Sequence, residues 1–208
     1  MTDNFHKDIQ AVFVSVKEMK SLPEEFRYEI EQDFHICNFP VTQELWEQVM
    51  KTNPSYFKGS RRPIESISWE EITADFLPRL NGLTNDIYHL PSEKEWEFAA
   101  KGGIKGIKDD FIYAGSNNKR EVAWYSLNAD GNTKPVGLKK ENQLGIFDMS
   151  GNVWEWCRDN LNDENNDLRV IKGGGCSYDD YESCKINFRM DAPKNSKDRY
   201  LGFRLIRY

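Results

Sequence analysis

The first hundred residues show apolar positions recurring at two different periods. Residues 11–16 (Ala-Val-Phe-Val-Ser-Val) are a β-branched run that predicts a strand. Asp33 to Phe39 alternates polar and apolar residues at period two and predicts another. Between them, Glu24 to Glu31 reads as a short charged helix. From Thr42 the period changes. Leu45, Trp46, Val49 and Met50 make one stripe of a helix that stops at Asn53-Pro54-Ser55, with Glu44 in the first turn, where the helix dipole favours an anion. Ser68 and Glu71 have the spacing of a capping box, opening a second helix with Trp69, Ile72, Phe76, Leu80 and Leu83 on its apolar face. Pro78 lies inside that pattern and should kink the helix or end its regular part. Ser92 and Glu95 repeat the box, with Trp96 and Ala99 inward and Gly102-Gly103 as the stop.

After residue 103 the helical period disappears. Gly, Asn, Asp and Pro recur every few residues, which predicts loops and short strands. Residues 159–167 read as a solvated loop. Tyr200 to Tyr208, with Leu201, Phe203 and Leu205 on one side, reads as one terminal strand. With no internal repeat and no linker, residues 1–208 are expected to form a single domain.

Composition sharpens this picture. Hydrophobic residues make up 38% of the chain and aromatics 13%, including six Trp. Such rings bury large areas, so a core is available although many residues must lie in polar loops. The formal net charge is -6 and no basic block is present, which argues against a nucleic-acid footprint. No run of 18 apolar residues suggests a membrane span, and the first residues lack a signal-peptide pattern, so a cytoplasmic location is expected. Four cysteines (Cys37, Cys157, Cys176, Cys184) form no C-x-x-C pair, and only three His are present, so zinc is not expected. Reduced, buried thiols are the expected state.

The densest segment is Leu144 to Trp156, with two Trp, two Gly, Asp148 and Glu155. Two carboxylates around a glycine turn could hold a hard cation or form a rigid corner of the core.

Further motifs carry a resemblance. Pro40-Val41-Thr42-Gln43, Asn53-Pro54-Ser55-Tyr56-Phe57, Arg62-Pro63-Ile64-Glu65, Ser68-Trp69, Leu90 to Ala100, Gly151 to Trp156 and Leu201-Gly202-Phe203-Arg204 occur in that order. Together they resemble the formylglycine-generating enzyme (sulfatase-modifying factor) family across about residues 33 to 206. The resemblance implies an α+β, C-type-lectin-like fold. Helices would flank small sheets, N- and C-terminal strands would pair, and long loops would cover one side.

The resemblance also sets functional expectations. Enzymes of that family oxidise a sulfatase-peptide cysteine with oxygen and Cu(I) held by a C-x4-C pair. Soft thiolates select Cu(I), so the pair is a chemical requirement. Here Cys184 looks like the second cysteine, but the first position falls on Asp179 counting back or on Tyr178 counting forward from the preceding Gly pair, and Cys176 is eight residues away. The oxidase reading therefore depends on Cys176 and Cys184 converging through a bulged loop. Structural calcium in the family would map to the side chains of Asp148 and Glu155 and the carbonyls of Gly151 and Val153. The favoured reading is a non-catalytic module that binds a protein or small-molecule ligand on a C-terminal loop surface. Cys176 to Tyr200 holds 12 Tyr, Asp, Ser or Asn among 25 residues, a composition suited to recognition. The same segment is diversified in the variable proteins of diversity-generating retroelements, which share the family fold. The candidate contact residues are Tyr178, Asp179, Asp180, Tyr181, Asn187, Arg189 and Tyr200.

Overall fold

A computed structural model describes residues 9–15, 24, 30–84, 86–160, 167–177 and 182–208. The expected helix Glu24 to Glu31 lies largely outside these residues. Strands β1 (Ala11–Val14) and β2 (Phe34–Cys37) pair antiparallel, shorter than the alternation suggested. Helix α1 (Gln43–Met50) follows, with the Thr42 hydroxyl accepting from the Leu45 N–H at its start.

Helix α2 is assembled from three parts: Trp69–Glu71, a π-helical turn over Ile72–Phe76, and Leu77–Leu83. Its predicted capping box is formed in both directions between Ser68 and Glu71. The π turn explains how Pro78 is tolerated. Pro78 has no N–H and its ring crowds the carbonyl four residues back, so the ladder shifts and the Leu77 N–H bonds Ile72 O, five residues back. Ile72, Phe76 and Leu80 are buried as the stripe requires, but Leu83 is 42% exposed at the helix end. After β3 (Tyr88–His89), helix α3 (Glu93–Ala100) begins with the second capping box, Ser92 and Glu95.

The loop-rich half also holds three one-turn helices the pattern did not reveal: α4 (Gly103–Gly106), α5 (Lys119–Val122) and α6 (Ser126–Ala129). Four residues are too few for a 3.6 period to show. Local side chains hold two of them. Asn118 accepts from the Arg120 N–H, and Asn128 accepts from the Tyr125 N–H.

The remaining strands are β4 (Trp154–Asn160), β5 (Leu168–Lys172), β6 (Met190–Pro193), β7 (Leu201–Gly202) and β8 (Ile206–Arg207). Asp159 and Asn160, expected in the polar loop, extend β4. The expected single terminal strand is two. They are split because β7 pairs parallel to β4 in one sheet while β8 pairs with β2 and β3 in the other. The sheet orders are β1-β2-β8-β3 and β6-β5-β4-β7. The chain end thus joins the two sheets, with Ile206 opposite Ile36 and His89.

Two apolar clusters lie around this junction. In one, Trp46 stacks on Phe76 at 4.9 Å, and Phe203 meets both rings edge-on among Trp154, Trp156 and Leu205. The other gathers Trp96, Phe98 and Ala99 from α3 against Phe34, Ile36, Met149 and Ile206. No described helix is long and apolar enough to cross a membrane.

Candidate functional site

The segment Leu144 to Trp156 is a tight corner. Asp148, Gly151 and Asn152 all have left-handed backbone (φ 58, 82 and 66). Gly151 is required there, because a Cβ would stand 2.3 Å from the Trp124 carbonyl oxygen. The Gly151 N–H donates to Gly173 O at 2.7 Å, and the Asn152 N–H donates to Trp124 O at 2.8 Å. The buried Asn152 amide closes the corner by exchanging two hydrogen bonds with the Lys134 backbone. Trp154 and Trp156 are core residues.

Glu155 and Arg204, both fully buried, form the central ion pair. Arg204 Nε donates to one carboxylate oxygen at 2.7 Å and Nη2 to the other at 2.8 Å. The Trp96 indole N–H adds a third bond at 2.7 Å. The guanidinium also donates to the carbonyls of Cys37 and Phe147 at 2.9 and 3.0 Å. One side chain therefore ties β2, the corner and β4 together.

Of the expected calcium ligands, Glu155 has both carboxylate oxygens turned to Arg204. Asp148 is also buried. Its Oδ2 accepts the Gly137 N–H at 2.7 Å, while Oδ1 is buried without a partner. Burial pushes its carboxyl up to about 6, against the opposing pull of the Gly137 N–H. Among the described residues no group of three or more His, Cys, Asp or Glu is placed to hold a metal.

Cys176 and Cys184 have different packing partners. Cys176 packs with Ala129 and Tyr200, and Cys184 packs with Tyr113, Val122, Ala123 and Tyr125. The side chains occupy separate apolar clusters. Burial pushes the Cys176 thiol up to about 12. Cys37 and Cys157 are likewise raised by burial, and none of the four cysteines is in a disulfide.

Of the candidate contact residues, Tyr178, Asp179, Asp180 and Tyr181 lie outside the described residues. Asn187 is exposed. Arg189 is partly exposed and its guanidinium reaches Glu93 at the start of α3, at 3.1 Å. Tyr200 is only 8% exposed, its ring lies 5.6 Å from Phe57, and its hydroxyl donates to Gly131 O. It supports the loop surface rather than presenting itself on it.

Beside these residues runs a band of rings and cations that the motif analysis missed. Arg199 lies over both Tyr56 and Tyr200, and Lys139 and Lys134 lie over Trp124. The rings were visible in the sequence, but their convergence joins segments around residues 56, 124 and 200.

The fold and corner define a mixed helix–sheet protein with loops displayed on a buried ion-paired frame. The chain belongs to the sulfatase-modifying factor enzyme 1-like domain family, whose model matches residues 9–208. It is 38% identical over 195 residues to the chaperone protein LppX of Paenibacillus barcinonensis, covering 69% of each chain. It is 26% identical over 181 residues to the inactive C-alpha-formylglycine-generating enzyme 2 of Mus musculus, covering 79% of this chain and 55% of that protein's length. Among solved structures, Treponema denticola variable protein 1 superposes with a TM-score of 0.76 at 26% identity, covering 96% of this chain and 92% of the other. These similarities accord with the C-type-lectin-like, formylglycine-generating-enzyme fold expected from the motifs.

Proposed function

We propose that the protein is a non-catalytic binding module whose C-terminal loop surface engages a protein or small-molecule ligand. The observation that carries this reading is the separation of Cys176 and Cys184 into different apolar clusters, with the Cys176 thiol held protonated by burial. An oxidase of this family needs both thiolates on one copper ion. The relatives support the same direction. One is named inactive, one a chaperone protein and one a variable protein. Function then resides in the loops that the frame displays rather than in the fold itself.

The test is to incubate the protein with Cu(I), oxygen and a cysteine-containing sulfatase-type peptide, then to follow oxygen uptake and peptide mass. The expected result is an unmodified peptide. Multiple-turnover conversion to formylglycine, abolished by Cys184→Ser, would restore the oxidase alternative.

A further inference from the structure

The band of rings and cations has a chemistry of its own, and the inference drawn from it rests on the binding-module reading. Tyr56 is 65% exposed and meets Phe57 edge-on at 4.9 Å. Phe57 and Trp124 are partly buried against the cluster of Ala129, Cys176 and Tyr200. The rings are therefore linked along one surface, from Tyr56 through Phe57 and Tyr200 to Trp124.

Cations sit on these rings. The Arg199 guanidinium lies 5.3 Å from the Tyr56 centroid and 5.2 Å from that of Tyr200. Lys139 Nζ lies 4.1 Å and Lys134 Nζ 5.9 Å from the Trp124 centroid. A ring face positions a cation without neutralising it, so the charge stays available to an anion. Neighbouring carboxylates cancel little of it. Asp130 reaches Lys134 at 3.5 Å, while its own side chain is 87% exposed. Asp198 accepts the Tyr200 N–H. Among the described residues no carboxylate lies within ion-pair distance of Arg199 or Lys139; Asp148 acts on Lys139 only through space, and Lys139 donates to the Arg120 carbonyl.

We infer that this band is the docking surface for an acidic polypeptide segment that carries aromatic or aliphatic side chains. Charge complementarity selects the acid: a local cluster of three cations stands on a chain of net charge -6. The exposed Tyr56 ring selects an apolar side chain beside it. A polyphosphate backbone suits the surface less well, because it carries no apolar side chain to cover the exposed Tyr56 ring.

The probe is a dye-labelled peptide of Glu with Phe at every fourth position, followed by fluorescence anisotropy. Saturable binding that weakens as salt is raised is expected. Arg199→Gln and Lys139→Gln should each weaken it roughly 1.5- to 5-fold, the range expected for losing one exposed ion pair with a peptide carboxylate. Tyr56→Ala should weaken it as well. Thermal melts of the three variants check that each is folded. The inference is overturned if the variants bind like wild type or if a Lys–Phe peptide binds as tightly. Preferential binding of single-stranded DNA would overturn it too, as would sedimentation showing the band buried between two copies. Wild-type-like binding by the variants would remove this surface but leave the binding-module reading intact. Copper-dependent peptide oxidation would instead remove that reading.

Discussion

Arg204→Met is the sharpest perturbation of the frame. Arg204 and Glu155 are both fully buried, so water does not screen the pair. Among the described residues the substitution leaves the Glu155 carboxylate with the Trp96 indole as its side-chain donor, and it strips a donor from each of the Cys37 and Phe147 carbonyls. Removing one member of a buried ion pair costs about 3–5 kcal/mol, because the other charge stays buried and uncompensated. That is a large part of the roughly 5–15 kcal/mol that stabilises an ordinary domain. With a urea m-value of about 2 kcal/mol/M, the midpoint should fall by about 2 M. Urea titrations followed by far-UV circular dichroism and Trp fluorescence read this directly. Replacing both residues, Glu155→Leu with Arg204→Met, should recover much of the loss, since two well-packed apolar groups leave no orphaned charge. The reasoning fails if the single variant unfolds within about 0.5 M of wild type, or if the double variant is as unstable as the two losses summed.

Three other outcomes are expected. Burial raises the Asp148 carboxyl from 3.8 to about 6, so between those values the folded chain keeps a proton that the unfolded chain has lost. Stability from this group is therefore greatest below 3.8 and is lost as pH rises to about 6, by ~3 kcal/mol in all. Asp148→Asn retains an acceptor for Gly137 and should flatten that pH dependence and raise the urea midpoint at pH 7; an unchanged pH profile would contradict the assignment. Gly151→Ala forces a Cβ against the Trp124 carbonyl at a left-handed position, and a loss of at least about 1–2 kcal/mol should appear in the thermal midpoint. Trp96→Phe removes a donor to the buried Glu155 carboxylate and should cost about 1–3 kcal/mol in the same measurement.

Local chemistry was the legible part of this sequence. Both capping boxes, the Thr42 cap and the apolar faces of α1 and α2 depend on residues within one or two helical turns, and they form largely as the spacing implies. Leu83 departs because the helix ends there and turns it outward. The one-turn helices carry too few residues to display a period. The terminal strand divides because its two halves find different sheets, a choice made by distant partners. The corner was visible as a dense motif, but its meaning was not. Nothing in the sequence signalled that Arg204, 49 residues from Glu155, would bond both of its carboxylate oxygens. Tyr200 was a reasonable contact residue by composition, and its burial against Phe57 is a tertiary fact.

The central claim is that this chain displays loops on a family frame without the metal chemistry of its catalytic relatives. A Cu(I) titration of the reduced protein against a chromophoric chelator of micromolar affinity tests it most directly. With Cys176 and Cys184 in separate clusters, no stoichiometric transfer of copper to the protein is expected. One equivalent of Cu(I) bound, and lost in both Cys176→Ser and Cys184→Ser, would contradict the account.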